Sequence, residues 1–278
     1  MNKQNDNDAK AENRIVKATR ELGLDHKEVK LAGGVLTLLL NSRKAKRKKD
    51  FGDGPKTILE FYEFAITRNK EANAQLFQDL WVQFELGEIR DGFFVEFGAT
   101  NGITMSNTHL LEKHYGWTGI VAEPNPDFHE RLDRERDCNI SHKCVYSSTG
   151  EHVPFLCTEK GMYSRIKSIN PEDHNEDRMR LDPEEVMVET VSLNDLLDEY
   201  NAPDTVDFMS VDTEGSELEI LQAFDFSKRM VKTFTIEHNF TPMRAAIHEL
   251  MTTKGYVRRF PEFTRFDDWY IHQDVLAR

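Results

Sequence analysis

"FFVEFGATNG", residues 93–102, passes from largely apolar, strand-forming residues through the acidic Glu96 into a loop with glycines four apart, Gly98 and Gly102. A strand, a glycine turn and a helix in that order bring backbone N–H groups and a helix N-terminus to the C-terminal edge of a sheet, where α/β folds bind nucleotides. A dinucleotide fingerprint requires G-x-G-x-x-G so that backbone can approach a pyrophosphate. This loop reads E-x-G-x-x-x-G, one glycine short, and Glu96 beside it would repel phosphate. The pattern suits a nucleoside ligand that carries positive charge and no phosphate. S-adenosylmethionine, with an ammonium and a sulfonium, is one.

A second anchor follows 25 positions after Gly98, in "GWTGIVAEPNP", where Glu123 ends an apolar strand. A carboxylate there can accept both hydroxyls of a ribose, the solution dinucleotide folds also use. Val145 and Tyr146 of "KCVYSS" end the next strand candidate and would flank the adenine. Outward from these anchors, strands alternate with helices, which specifies a largely parallel sheet of βαβ units. Strands are expected at 93–97, 119–122, 140–145, 206–211 and 231–236, with two more in the last 25 residues; helices are expected at 104–115, 126–136, 192–200 and 215–223. Residues 158–188 are charged and poor in apolar residues, and read as an insertion or lid.

Upstream, the pattern is helical. Residues 1–13 read as a disordered tail and 14–88 as an α-helical extension ahead of an α/β domain at 89–278. Asp25 with Glu28, and Thr57 with Glu60, have capping-box spacing. Leu76, Phe77, Leu80, Trp81 and Phe84 form one apolar face of a helix at about 72–86, and Gly87 stands where that helix stops. Gln78 and Asp79 lie off that face, either in solvent or within reach of the ligand. Arg43, Lys44, Lys46, Arg47, Lys48 and Lys49 follow the apolar stretch 31–40. This is either a helix end or oligomer contact, or a peripheral anchor for an anionic membrane through 31–49.

Composition narrows the partners. With 49 acidic against 36 basic residues, the chain lacks the broad basic surface a nucleic-acid binder needs. Cys138, Cys144 and Cys157 have neither CxxC spacing nor an even framework, which points to a reducing compartment rather than a zinc or disulfide scaffold. The polar N-terminus lacks a signal-peptide core and 31–40 is too short to span a bilayer, so a cytoplasmic protein is expected.

The acidic element "VDFMSVDTEGSELEIL" places Asp212 and Glu214 at the end of another strand, and "IEHNF" places Glu237 and His238 after the next. If the loop holds S-adenosylmethionine, methyl transfer needs an aligned acceptor and, where that acceptor is a hydroxyl, removal of its proton. Asp212, Glu214 or His238 could be the base. Alternatively Asp212, Glu214, Glu237 and His238 could hold a divalent ion, Mg²⁺ or Mn²⁺, that acidifies the hydroxyl. The plainer alternatives are that Asp212 or Thr213 caps the helix near Gly215, and that His238 is a hydrogen-bonded structural residue.

The stretches "FFVEFGATNGITMSNTHLLEKHYGWTGIVAEPNPDFHERL" and "VDFMSVDTEGSELEIL" resemble the FkbM-type methyltransferase family, a class I S-adenosylmethionine-dependent group, over roughly residues 75–272. The resemblance implies a Rossmann-like seven-stranded sheet with helices on both faces and an antiparallel final strand, and O-methylation of a hydroxyl, often on a sugar. By position, Glu96, Gly98, Thr100, Asn101, Gly102, Ser106, Asn107 and Glu123 would line the cofactor pocket, with Asp212 beside the methyl group. "GATNG" departs from the commoner Gly-Ala-Asn-Asp-Gly at Thr100 and Asn101. The expected function is methylation of a small-molecule or glycan acceptor. The alternatives are an NAD(P)-dependent oxidoreductase or epimerase, and a glycan-assembly scaffold without turnover.

Overall fold

The computed structural model describes residues 57–158, 163–169 and 182–276, and the chain divides into two units, Met1–Ala72 and Asn73–Arg278. The expected tail, the helices of 14–49, the Asp25 and Glu28 cap and the basic cluster lie outside the described residues, and with them the membrane and oligomer readings. In the first unit, helix α1 (Ile58–Arg68) starts at a complete capping box: Thr57 Oγ1 accepts from Glu60 N–H, and Glu60 reaches back to Thr57 N–H. Two otherwise orphaned donors are satisfied there, typically worth about 1 kcal/mol. No helix among the described residues is long and apolar enough to cross a membrane.

The second unit begins at Asn73, ahead of the boundary expected at 89, because helix α2 (Gln78–Leu86) belongs with the sheet. Nearly every side chain of α2 is buried, Gln78 and Asp79 included. It ends at Gly87 in the left-handed region, φ 76°, which glycine adopts without a Cβ penalty.

Beyond α2 the elements run β1 (Phe93–Phe97), α3 (His109–Tyr115), β2 (Thr118–Ala122), α4 (Pro126–Glu135), β3 (Asn139–Ser141), β4 (Cys144–Tyr146), β5 (His152–Cys157), β6 (Arg165–Ile166) and β7 (Glu184–Ser192). They continue with α5 (Leu193–Glu199), β8 (Thr205–Val211), α6 (Glu217–Ala223), β9 (Met230–Glu237), α7 (Met243–Thr253), β10 (Tyr256–Arg259), β11 (Asp267–His272) and α8 (Gln273–Leu276). The main sheet has seven strands in the order β10-β11-β9-β8-β1-β2-β3. β3, β2, β1, β8 and β9 are parallel, whereas β11 runs antiparallel to both β9 and β10. This is the Rossmann-like arrangement expected, antiparallel strand included. Its core joins Val95, Ile120, Met209 and Phe234 of the strands to Leu196, Leu221 and Met251 of the helices.

Two expectations are corrected. The strand expected at 140–145 is two strands in different sheets, β3 in the main sheet and β4 in a second, four-stranded sheet of order β4-β7-β5-β6. That second sheet also takes up parts of the stretch read as a lid. β7 was hidden by its charge: Val188 and Val191 are buried while Glu185 and Glu189 face solvent. Its apolar face packs with Cys144, Phe155, Cys157 and Ile166. The helix α7 was not anticipated either.

Candidate active site

At the C-terminal edge of the main sheet lies a cavity of about 320 Å³, within the range of small-molecule sites, lined by the ends of β1, β2, β8 and β9 and by the second sheet. The glycine loop forms one wall. Gly98, at φ 71°, is required twice, since a Cβ there would also run into the backbone carbonyl oxygen of Asp212. Its N–H and that of Ala99 donate to Ala122 O, tying the loop to β2. Gly102, at φ 77°, lies against the side chains of Leu132 and Arg136. Thr100 adopts φ 45°, costly for a residue with a Cβ. Asn101 Oδ1 accepts from Ile103 and Thr104 N–H, so that side chain is spent on shaping the loop.

Glu96 lines the cavity, but its charge is not open to a ligand as its sequence position suggests. One oxygen accepts from the hydroxyls of Ser106 and Thr108 and faces Arg136 at 3.4 Å; the other accepts from Asn107 N–H at 2.6 Å. Arg136, fully buried, is also paired with Glu112 at 2.8 Å. Glu96 and Ser106 therefore fold the loop. Asn107 donates from Nδ2 to Ser210 at 2.8 Å, while its buried Oδ1 has no partner and remains for a ligand.

Glu123 follows β2 and lines the cavity. Its two oxygens accept from Thr100 N–H at 2.7 Å and Asn125 N–H at 2.8 Å, each keeping a further lone pair. Burial raises its pKa to about 7, against those two N–H groups, which lower it. Beyond it, Cys144, Val145, Phe155 and Ile166 supply an apolar wall from the second sheet. Tyr146 is not part of that wall, because its hydroxyl bonds Glu219 instead. Phe155 and Ile166 were missed with the strands that carry them.

The opposite end is acidic. Oxygens of Asp212, Glu214 and Glu237 lie within 4.8 Å of one another. Burial, then the neighbouring Glu214, holds the Asp212 pKa well above the ordinary range. Burial, then Asp212, does the same for Glu237, which is hydrogen-bonded to Asp212. Neither Asp212 nor Thr213 caps α6, whose N-cap residue is Ser216, with no side-chain cap hydrogen bond. Glu217 instead organises this turn, accepting from Thr213 N–H at 2.8 Å and Gly215 N–H at 3.1 Å. Glu214, at φ 61°, accepts from Tyr163 N–H at 3.0 Å.

His238 does not line the cavity. Its Nδ1 accepts from Phe240 N–H at 3.0 Å and its Nε2 lies 3.6 Å from Asp268, so it turns the chain after β9. Gln78 does reach the site: Nε2 donates to Asp267 Oδ2 at 2.9 Å, and both residues line the cavity. Asp79 lies behind it, accepting from Asn73 and Ala74 N–H. The Asn73 side chain in turn donates to Ile103 O and to Ser106 O, clasping the glycine loop. No sequence signal marked Asp267; a "DDWYIH" strand reads as an edge. Among the described lining residues, carboxylates come from Glu96, Glu123, Asp212, Glu214, Glu237 and Asp267, and none is Lys, Arg or His.

Solved structures similar to this chain include a precorrin-6y C5,15-methyltransferase from Geobacter metallireducens, at 12% identity over 69% of this chain and 85% of that one, TM-score 0.38. Another is a putative RNA methyltransferase from Pyrococcus horikoshii, at 13% identity over 76% and 97%, TM-score 0.34. No curated protein matches. The family model of the methyltransferase FkbM domain matches residues 96–259, which spans the glycine loop, Glu123, Asp212, Glu214 and Glu237, and the chain belongs to this family of S-adenosylmethionine-dependent methyltransferases.

Proposed function

We propose that the chain methylates a hydroxyl of a sugar, glycan or related polyhydroxylated acceptor. The observation that carries this reading is the carboxyl pair of Asp212 and Glu237, raised in pKa, in a cavity whose described lining contains no basic side chain. A carboxylate of raised pKa is a stronger base toward a hydroxyl. An acceptor bearing phosphate or carboxylate at the reacting end would meet only like charge, whereas an uncharged one would not.

Bound against the glycine loop and Glu123, S-adenosylmethionine supplies an electrophilic methyl carbon on sulfur. The Glu123 carboxylate would accept the ribose hydroxyls, and the wall of Val145 and Phe155 would pack on the adenine. Asp212, at the acidic end of the same cavity, would take the proton of the acceptor hydroxyl, as base directly or as the ligand of a divalent ion. The nicotinamide alternative falls with the family assignment. A scaffold without turnover is separated by assay: transfer of a radiolabelled methyl group to hydroxylated glycans, with S-adenosylhomocysteine as co-product, is expected. Absence of transfer to any hydroxylated acceptor would reject the reading.

Cofactor affinity is expected to depend on pH through Glu123. Ribose hydroxyls donate to the ionised form, so with a free-protein pKa of about 7 the affinity is highest above pH 7 and falls on acidification, approaching tenfold per pH unit. Calorimetry with S-adenosylhomocysteine between pH 8 and 6 checks this. A flat profile, or a Glu123→Gln variant with unchanged affinity and unchanged profile, would remove Glu123 from ribose binding.

A further inference from the structure

The acidic end of the cavity holds more carboxyl groups than the proposed reaction uses. Asp212, Glu214 and Glu237 each offer an oxygen within 4.8 Å of the others. Two oxygens of this wall are buried with no hydrogen-bond partner, Glu237 Oε2 and Asp267 Oδ1. Asp267 and Glu237 face each other across neighbouring strands as a registered pair, a position where two like charges destabilise a sheet.

Asp267 cannot turn its free oxygen inward. Only 4% of the residue is exposed, and Oδ2 is held by Gln78 Nε2 and Trp269 Nε1, both at 2.9 Å. The Trp269 ring is itself fixed against Trp81 and Phe263, with centroids 5.1 and 5.4 Å away. A buried, unsatisfied carboxylate oxygen is expensive, and here the surroundings preserve it rather than relieve it. A hydrated cation at this end would give these oxygens partners.

We propose that Asp212, Glu214 and Glu237 bind one divalent ion, Mg²⁺ or Mn²⁺, with Asp267 Oδ1 accepting from a water in its shell. The donor set is oxygen only, which suits hard cations. Three ionised carboxylates are then offset by the ion and the cofactor's sulfonium together. His238, a candidate ligand by sequence, is excluded because its Nε2 faces Asp268. The role of the ion rests on the hydroxyl-methylation reading. Coordinated to it, the acceptor hydroxyl loses its proton to a carboxylate more readily, and a neighbouring hydroxyl can take a second coordination position, which favours acceptors with two adjacent hydroxyls. The new O–C bond forms as the C–S bond breaks, its electron pair staying on sulfur.

The test is Mn²⁺ titration, followed by electron paramagnetic resonance, of the EDTA-stripped full chain loaded with S-adenosylhomocysteine. One Mn²⁺ per chain, displaced by Mg²⁺, is expected. Asp212→Asn and Glu237→Gln should each weaken it by roughly tenfold or more, whereas Glu189→Gln, an exposed acid on the second sheet, should not. Affinity for S-adenosylhomocysteine should stay within about twofold in each variant, which shows that the cavity is intact. No bound Mn²⁺, or binding that survives both cavity substitutions, overturns the site. Mn²⁺ bound as described in a protein that methylates no hydroxyl supports the site and rejects only the acceptor reading.

Discussion

Gly98→Val is expected to abolish cofactor binding, with the affinity for S-adenosylhomocysteine falling by at least about a hundredfold. The sequence suggests a local reason, a branched side chain filling the space of the methionine moiety. The structure adds a stronger one, since the first carbon of any side chain would collide with the Asp212 carbonyl oxygen. The substitution must therefore push β1 and β8 apart at the edge that lines the cavity. The left-handed backbone at φ 71° adds roughly 1–3 kcal/mol of strain. Gly150→Ala is the control, because Gly150 has a similar φ of 82° with open space where its Cβ would stand. It should cost stability alone. Calorimetry and thermal unfolding of the two variants separate collision from strain; normal cofactor binding by Gly98→Val would mean the loop does not hold the cofactor.

Asp212→Asn is expected to lower turnover by roughly 10² or more while leaving cofactor affinity little changed. The amide keeps the size of the carboxyl but can neither take a proton nor neutralise a cation. Stability should move the other way. The folded-state pKa of Asp212 lies above its unfolded value, through burial first and Glu214 second. Its contribution is then most favourable below the unfolded pKa and is lost as pH rises toward the folded one. Without added metal, the variant should therefore unfold at a higher temperature than the parent at pH 8, with the gap closing near pH 4. An equally active Asp212→Asn enzyme would remove this residue from the mechanism.

The glycine-loop wall of the cavity was legible in sequence because its constraints are local. Phe93–Phe97 is a strand with the expected ends, and Gly98 and Glu123 stand where strand, turn and acid placed them. The acidic end depends on pairings between distant strands. Asp267 meets Glu237 only because β11 turns back against β9, a register no spacing announces. An acid beside a glycine loop reads as facing a positively charged ligand; Glu96 does line the cavity, but it also faces Arg136, 40 positions away at the end of α4. The second sheet escaped notice because β7 carries glutamates on its solvent face and β5 contains Pro154.

The pairing of Glu96 with Arg136 bears on the order in which the protein assembles. Glu96 belongs to the first βα unit and Arg136 follows the helix of the second, so loop 98–108 can lock only after the second unit has docked. Until then, Glu96 would be a buried acid with no cation, and the loop amides it organises would exchange with solvent. Hydrogen exchange should show the amide of Asn107, which donates to Glu96, opening together with α4 rather than with β1. Competence to bind cofactor would then appear late in folding, after the central strands have paired. In Arg136→Met the central strands could be well protected while the chain fails to retain S-adenosylhomocysteine.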